Sequence, residues 1–196
     1  MSDDVDLGRR QLLQKATALT GAVGAVFVAT PFISSWEPSA RAKAMGAPVE
    51  IDIAKLEPGA MLKVEWRGKP VWVVRRTPEM LASLKADTSL LADPDSNASV
   101  QPEYAKNTAR ASKEEYLVLL GVCTHLGCSP SAKFTPGDVT VQADWPGGFY
   151  CPCHGSKFDL AGRVFKGVPA PLNLAVPPYS FASATKIVVG ADTKAA

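Results

Sequence analysis

The chain has four cysteines and two histidines, and all six stand in two short stretches. The first reads Cys123-Thr124-His125-Leu126-Gly127-Cys128, the second Cys151-Pro152-Cys153-His154-Gly155-Ser156. Thiolate sulfur and imidazole nitrogen are the donors that zinc, copper and iron–sulfur clusters take. Scattered core cysteines would not segregate in this way, so the chemistry is placed here. Three readings are open. A closed zinc site takes four ligands and would leave two of the six unused. Two disulfides suit an exported chain but leave both histidines without a role. A [2Fe–2S] cluster on two Cys and two His, with the other two Cys bridged as a disulfide joining the loops, uses all six and is favoured.

Short strands must position these loops. Residues 116–121 read as a strand running into the first loop, and residues 148–150 as one running into the second. Further strands are predicted at 49–53, where Val49, Ile51 and Ile53 alternate with acidic residues, and at 139–142, 179–182 and 186–189. Residues 61–66 and 69–75 flank Arg67-Gly68 as a hairpin. Thr77-Pro78-Glu79 is an N-cap with proline at N1, opening a short helix to about Ala86. Residues 87–112 are polar and read as a loop insertion. Many short strands with Gly/Pro turns predict an all-β antiparallel sandwich.

The N-terminus is of a different kind. Residues 16–36 carry no charge. As a helix they would span about 32 Å, which matches a bilayer core. Pro31 would kink or end that helix, and Trp36 stands where an interfacial aromatic belongs. Arg9-Arg10 ahead of this run resembles a twin-arginine export signal, with ordinary positive-inside charges as the alternative. Both readings leave residues 1–15 in the cytoplasm. Ala42-Lys43-Ala44 fits a signal cleavage site. The run exceeds a usual signal core, however, so a retained transmembrane helix is predicted. Residues 37–48 read as a flexible tether and 49–196 as a periplasmic head. A net charge of +2 over 196 residues lacks the basic excess of a nucleic-acid binder. A hydrophobic content of 46% excludes a disordered chain.

The pairing of C-T-H-L-G-C with C-P-C-H-G-S resembles the Rieske iron–sulfur proteins. The N-terminal anchor, the tether and the proline-rich Gly167-Val168-Pro169-Ala170-Pro171 extend the resemblance over nearly the whole chain. It is nearest to the Rieske subunits of proteobacterial ubiquinol–cytochrome c reductase (cytochrome bc) complexes. The resemblance implies one [2Fe–2S] cluster per chain, with Cys123 and Cys151 on one iron, His125 and His154 on the other, and a Cys128–Cys153 disulfide. It implies that Ser156 donates to a cluster sulfide, that Leu126 shields the cluster and meets a partner subunit, and that Pro169 and Pro171 stiffen a covering loop. The implied activity is transfer of one electron, coupled to a proton, from ubiquinol to a c-type cytochrome. The implied setting is a dimeric complex in the bacterial inner membrane, with cytochrome b and the c-type cytochrome as partners. The alternative is the small subunit of an arsenite oxidase, which can also keep the second cysteine pair.

The ligand types have a physical reason. Four thiolates leave an oxidised [2Fe–2S] site a dianion, whereas two thiolates and two neutral imidazoles leave it uncharged. An electron enters the neutral site more easily, which accounts for Rieske potentials of about −150 to +300 mV against about −400 mV for plant-type ferredoxins. The negative charge gained on reduction strengthens the hold of each imidazole on a proton, so His125 and His154 are the expected catalytic pair. One position departs from many high-potential members. They carry a tyrosine two residues after the motif serine, and this chain has Phe158. A hydrogen bond worth ~1 kcal/mol more in the reduced state is worth about 40 mV, so a potential below the top of the range is expected.

Overall fold

The computed structural model describes residues 6–86 and 88–191. The outermost residues of the predicted cytoplasmic segment (1–5) and head (192–196), and Asp87 of the insertion, lie outside the described set. The chain divides into two units, meeting at Ala44 and Met45.

The first unit is built on helix α1, Leu7–Ser34. It starts nine residues before the uncharged run because Asp6 caps it, accepting from the Gly8 and Arg9 amides at 3.0 and 3.1 Å. Arg9 and Arg10 therefore lie in its first turn. The helix is exposed on all sides and long and apolar enough to cross a membrane. Thr17, Thr20 and Thr30 donate their hydroxyls to the carbonyls of Leu13, Ala16 and Val26. Their polar atoms are thereby satisfied within the helix, as a hydrocarbon surround demands. Pro31 is accommodated in the last turn. A second helix, α2, covers Ala40–Met45 within the segment read as an unstructured tether. Ser39 supports it by accepting from the Ala42 amide at 3.2 Å.

The second unit, over its described residues, is antiparallel β in three small sheets. Strands β1 (Val49–Asp52), β8 (Tyr179–Ser183) and β9 (Lys186–Val189) form one, in the order β1-β9-β8. Strands β2 (Met61–Trp66), β3 (Lys69–Arg75) and β4 (Tyr116–Leu120) form the second, in sequence order. Strands β5 (Ser131–Lys133), β6 (Gly148–Cys151) and β7 (Ser156–Phe158) form the third, which carries the second Cys/His loop. Val71, Trp72, Val73 and Val74 are all buried, so β3 is covered on both faces and reads as a continuous apolar run. Trp72 stacks on Phe149 at 5.1 Å between centroids, which joins the second sheet to the third. Truncating a core indole of this kind costs on the order of 3–5 kcal/mol. Gly121, at the end of β4, makes room for it: a Cβ there would lie 2.2 Å from the Trp72 ring.

Helix α3, Pro78–Ala86, begins at the predicted cap, with the Met80 amide donating to Thr77 Oγ1 at 3.3 Å. Its Leu84 packs with Leu160 and Ala161. The strand predicted at 139–142 is a turn instead. Asp138 accepts from the Thr140 amide and hydroxyl at 2.9 and 2.5 Å, and its carbonyl takes the Val141 and Gln142 amides. These local bonds occupy the groups a ladder would need. Among its described residues the insertion holds two 3₁₀ turns, Thr88–Leu90 and Glu103–Ala105.

Candidate metal centre

Each loop is a tight turn hung on a cysteine at a strand's edge. In the first, the Gly127 amide donates to the Cys123 carbonyl at 3.0 Å; in the second, the Gly155 amide donates to the Cys151 carbonyl at 2.9 Å. Gly127 and Gly155 take φ of 84° and 75°, the left-handed region that glycine enters without a Cβ clash. The second loop is the β6–β7 hairpin, with Cys151 opposite Ser156 in the ladder.

Cys128 and Cys153 form a disulfide that joins the loop tips. Cys123 and Cys151 remain as free, buried thiols. The rings of His125 and His154 meet edge to face, 4.7 Å between centroids, with His154 exposed and His125 half-buried. Sulfur thus lies inward and imidazole outward. Burial pushes the Cys123 thiol up, and the neighbouring Cys151 adds to this, against the His125 amide and the Ser156 hydroxyl, which favour its thiolate. A buried thiol such as Cys123 becomes a thiolate readily only when a cation takes the charge, so the donor set fits a thiolate- and imidazole-bound iron centre. The sulfurs of Cys128, Cys151 and Cys153 also lie within 4.8 Å of one another. Two of these are bonded to each other, so that trio is no ligand set. Two thiols and two imidazoles could equally surround one zinc ion by count alone.

Other predicted residues take definite places. Ser156 is fully buried, and its Oγ accepts from the Ala170 amide at 3.1 Å. Phe158 lies on the same inward face of β7. Leu126 is 71% exposed at the tip of the first loop, an apolar side chain offered outward. Pro169 and Pro171 are exposed on either side of the buried Ala170.

Two supports were not foreseen. The Thr124 hydroxyl donates to the Leu172 carbonyl at 2.6 Å and ties the first loop to the proline-rich segment. Three buried arginines grip the turn after β7: Arg76 donates to the Leu160 carbonyl, Arg110 to Ala161 and Gly162, and Arg163 Nε to Asp159 at 2.7 Å. Burial pulls Arg76 and Arg110 down to about 10, still charged at neutral pH. Nothing in the sequence around these arginines signals such a role.

The disulfide leads to an expected result. Its loops hang from β4 and β6, in different sheets, and the bridge is the covalent tie between them. Cys128→Ser leaves both free thiols and both imidazoles in place but unties the loops. Some cluster is expected to assemble, and its half-life at room temperature, followed by visible absorption, is expected to fall severalfold below the parent's.

Comparison with known proteins decides between zinc and iron–sulfur. Residues 48–178 match the Rieske [2Fe-2S] domain, and residues 1–39 match the ubiquinol–cytochrome c reductase Fe-S subunit TAT signal. The chain is 57% identical over 184 residues to the ubiquinol-cytochrome c reductase iron-sulfur subunit of Allochromatium vinosum, covering 94% of this chain and 89% of that one. It is 45% identical to the subunit of the same name from Blastochloris viridis, covering 97% of each. It is 42% identical to the mitochondrial cytochrome b-c1 complex subunit Rieske of Schizosaccharomyces pombe, covering 88% of this chain and 66% of that one. The two Cys/His loops, one disulfide between them and a match along almost the whole chain lead to one conclusion: the chain belongs to the Rieske iron–sulfur family, among the iron–sulfur subunits of ubiquinol–cytochrome c reductase.

Proposed function

We propose that this chain takes one electron and a proton from ubiquinol and passes the electron to a c-type cytochrome, as a subunit of a cytochrome bc complex. The observation that carries this is the pair of touching imidazoles, His125 and His154, lying outward over two buried free thiols. Cys123 and Cys151 hold one iron and His125 and His154 the other. The cluster supplies a one-electron site of raised potential.

The chain's own residues do the rest. The Cys128–Cys153 bridge keeps the ligand loops closed on each other. Ser156 gives its hydroxyl to sulfur, which favours the more negative, reduced state. With its outward ring nitrogen already deprotonated, His125 or His154 accepts a hydrogen bond from a quinol hydroxyl there and then takes its proton. Leu126, exposed next to His125 in the first loop, packs against cytochrome b and excludes water there. Residues 1–15 stay in the cytoplasm, 16–36 span the inner membrane, 37–48 tether the head, and 49–196 work in the periplasm. The twin-arginine segment supports export of a folded, cluster-loaded head.

Purification of the complex through a tag on this chain tests the reading. It is expected to bring down cytochrome b and c-type haem together with quinol-driven cytochrome c reduction. A molybdenum subunit in their place would overturn it. The chain is expected to resist alkaline extraction with its N-terminal segment attached; soluble periplasmic protein starting near Met45 would overturn the anchor.

A further inference from the structure

We infer that Asn173 is a positioning residue for the iron–sulfur site: it fixes the segment 167–171 so that the Ala170 amide occupies Ser156 Oγ and turns the serine hydroxyl hydrogen toward sulfur. This rests on the reading that Ser156 faces a bound [2Fe–2S] cluster.

Asn173 is 1% exposed, and every side-chain hydrogen-bonding group it has is used. Its Oδ1 accepts from the Val164 amide at 2.8 Å. Its Nδ2 donates to the Asp93 carbonyl at 2.9 Å and to Ser96 Oγ at 3.0 Å. Its backbone amide donates to Ser99 Oγ at 3.1 Å. One acceptor facing an N–H and two donors facing oxygens fix the orientation of the carboxamide. The partners sit in a loop shaped for the purpose. Asp93 takes the Asn97 and Ala98 amides and the Ser99 hydroxyl, at 2.8, 3.2 and 2.6 Å. Ser96 is fully buried with φ of 54°, a conformation that a non-glycine residue keeps only when its surroundings hold it.

The same insertion holds the other end of the segment. The Lys166 amide donates to the Leu90 carbonyl at 2.8 Å, and the Ala92 amide to the Val164 carbonyl at 2.9 Å. Residues 167–171 are thus strapped on both sides to residues 90–99, and between the straps lies Ala170, whose amide donates to Ser156 Oγ. A hydroxyl has one hydrogen and two lone pairs, and its rotor turns to suit its partners. With an N–H fixed on the oxygen of a fully buried serine, the hydrogen is directed away from Ala170. Ser156 stands opposite Cys151 in the β6–β7 ladder, and the free thiols of Cys151 and Cys123 are both buried. The polar insertion is the frame on which this orientation depends.

The test uses the full-length protein in detergent. Asn173→Ala is expected to lower the midpoint potential and to speed exchange of the Ala170 amide by roughly tenfold or more, the latter also in protein stripped of iron. Ser156→Ala is expected to lower the potential too. The double variant is expected to lie no lower than Ser156→Ala alone, because both changes act through one hydroxyl. If Asn173→Ala does not fold, Ser99→Ala, which removes one acceptor, is read in the same way. An unchanged potential in the folded variant, or shifts that add in the double variant, would overturn the role of Asn173. Absence of a reduced-cluster signal in the parent protein would instead overturn the reading of the site itself.

Discussion

His125→Ala is expected to abolish the reduced-cluster signal and to leave the purified chain with less iron than the parent. The ring of His125 lies 4.7 Å from that of His154, and the structure places no other imidazole in the protein. The remaining cysteines cannot substitute, because Cys128 and Cys153 are bonded to each other. Without His125 a single imidazole would remain to hold an iron, and that one, His154, is exposed. The same outcome is expected for Cys123→Ala, Cys151→Ala and His154→Ala, read by electron paramagnetic resonance and by iron content. A normal Rieske spectrum from His125→Ala would remove it from the ligand set.

Gly148→Ala carries the largest expected effect on folding. Gly148 opens β6 with φ of 149°, and a Cβ there would stand 2.0 Å from the Phe158 carbonyl oxygen and 3.0 Å from the Asp159 backbone. Those atoms are backbone, so no side-chain rotation relieves the clash. The β6–β7 pairing, with Phe149 opposite Phe158 and Cys151 opposite Ser156, has to open instead. A loss on the order of 3 kcal/mol or more is expected, seen as a lower urea midpoint and poor iron retention. Gly155→Ala is the control. Its φ is 75°, but a Cβ would meet nothing within 4 Å, so only the backbone penalty of about 1–2 kcal/mol applies. Equal losses at the two positions would show that close packing of β6 on β7 does not govern stability here.

The ligand loops were legible because their chemistry restricts residue types. Few roles other than metal binding and disulfide formation bring four cysteines and two histidines into two turns. Strands β2, β3, β4, β8 and β9 were legible from alternation or apolar runs. Strands β5 and β7 have three residues each, too few for a period to show. At 139–142 the apolar–polar pattern misled because Asp138 closes a turn on itself, leaving Val139 80% exposed. Helix α1 reaches past Arg10 because charge alone does not end a helix, whereas a cap such as Asp6 fixes where it begins. Asn173, Thr124 and the three arginines were invisible for a common reason. A polar side chain buried by tertiary bonds looks, in sequence, like one on a solvated loop. The insertion read as irregular is irregular in backbone but supplies these bonds.

The central claim is that two histidines and two cysteines of this chain hold the cluster. Pulsed electron paramagnetic resonance of the reduced full-length protein, grown with nitrogen-15 histidine, tests it most directly. Two histidine nitrogen couplings are predicted on a [2Fe–2S] signal. A [2Fe–2S] signal without them, or a protein with zinc and no signal, would contradict the account.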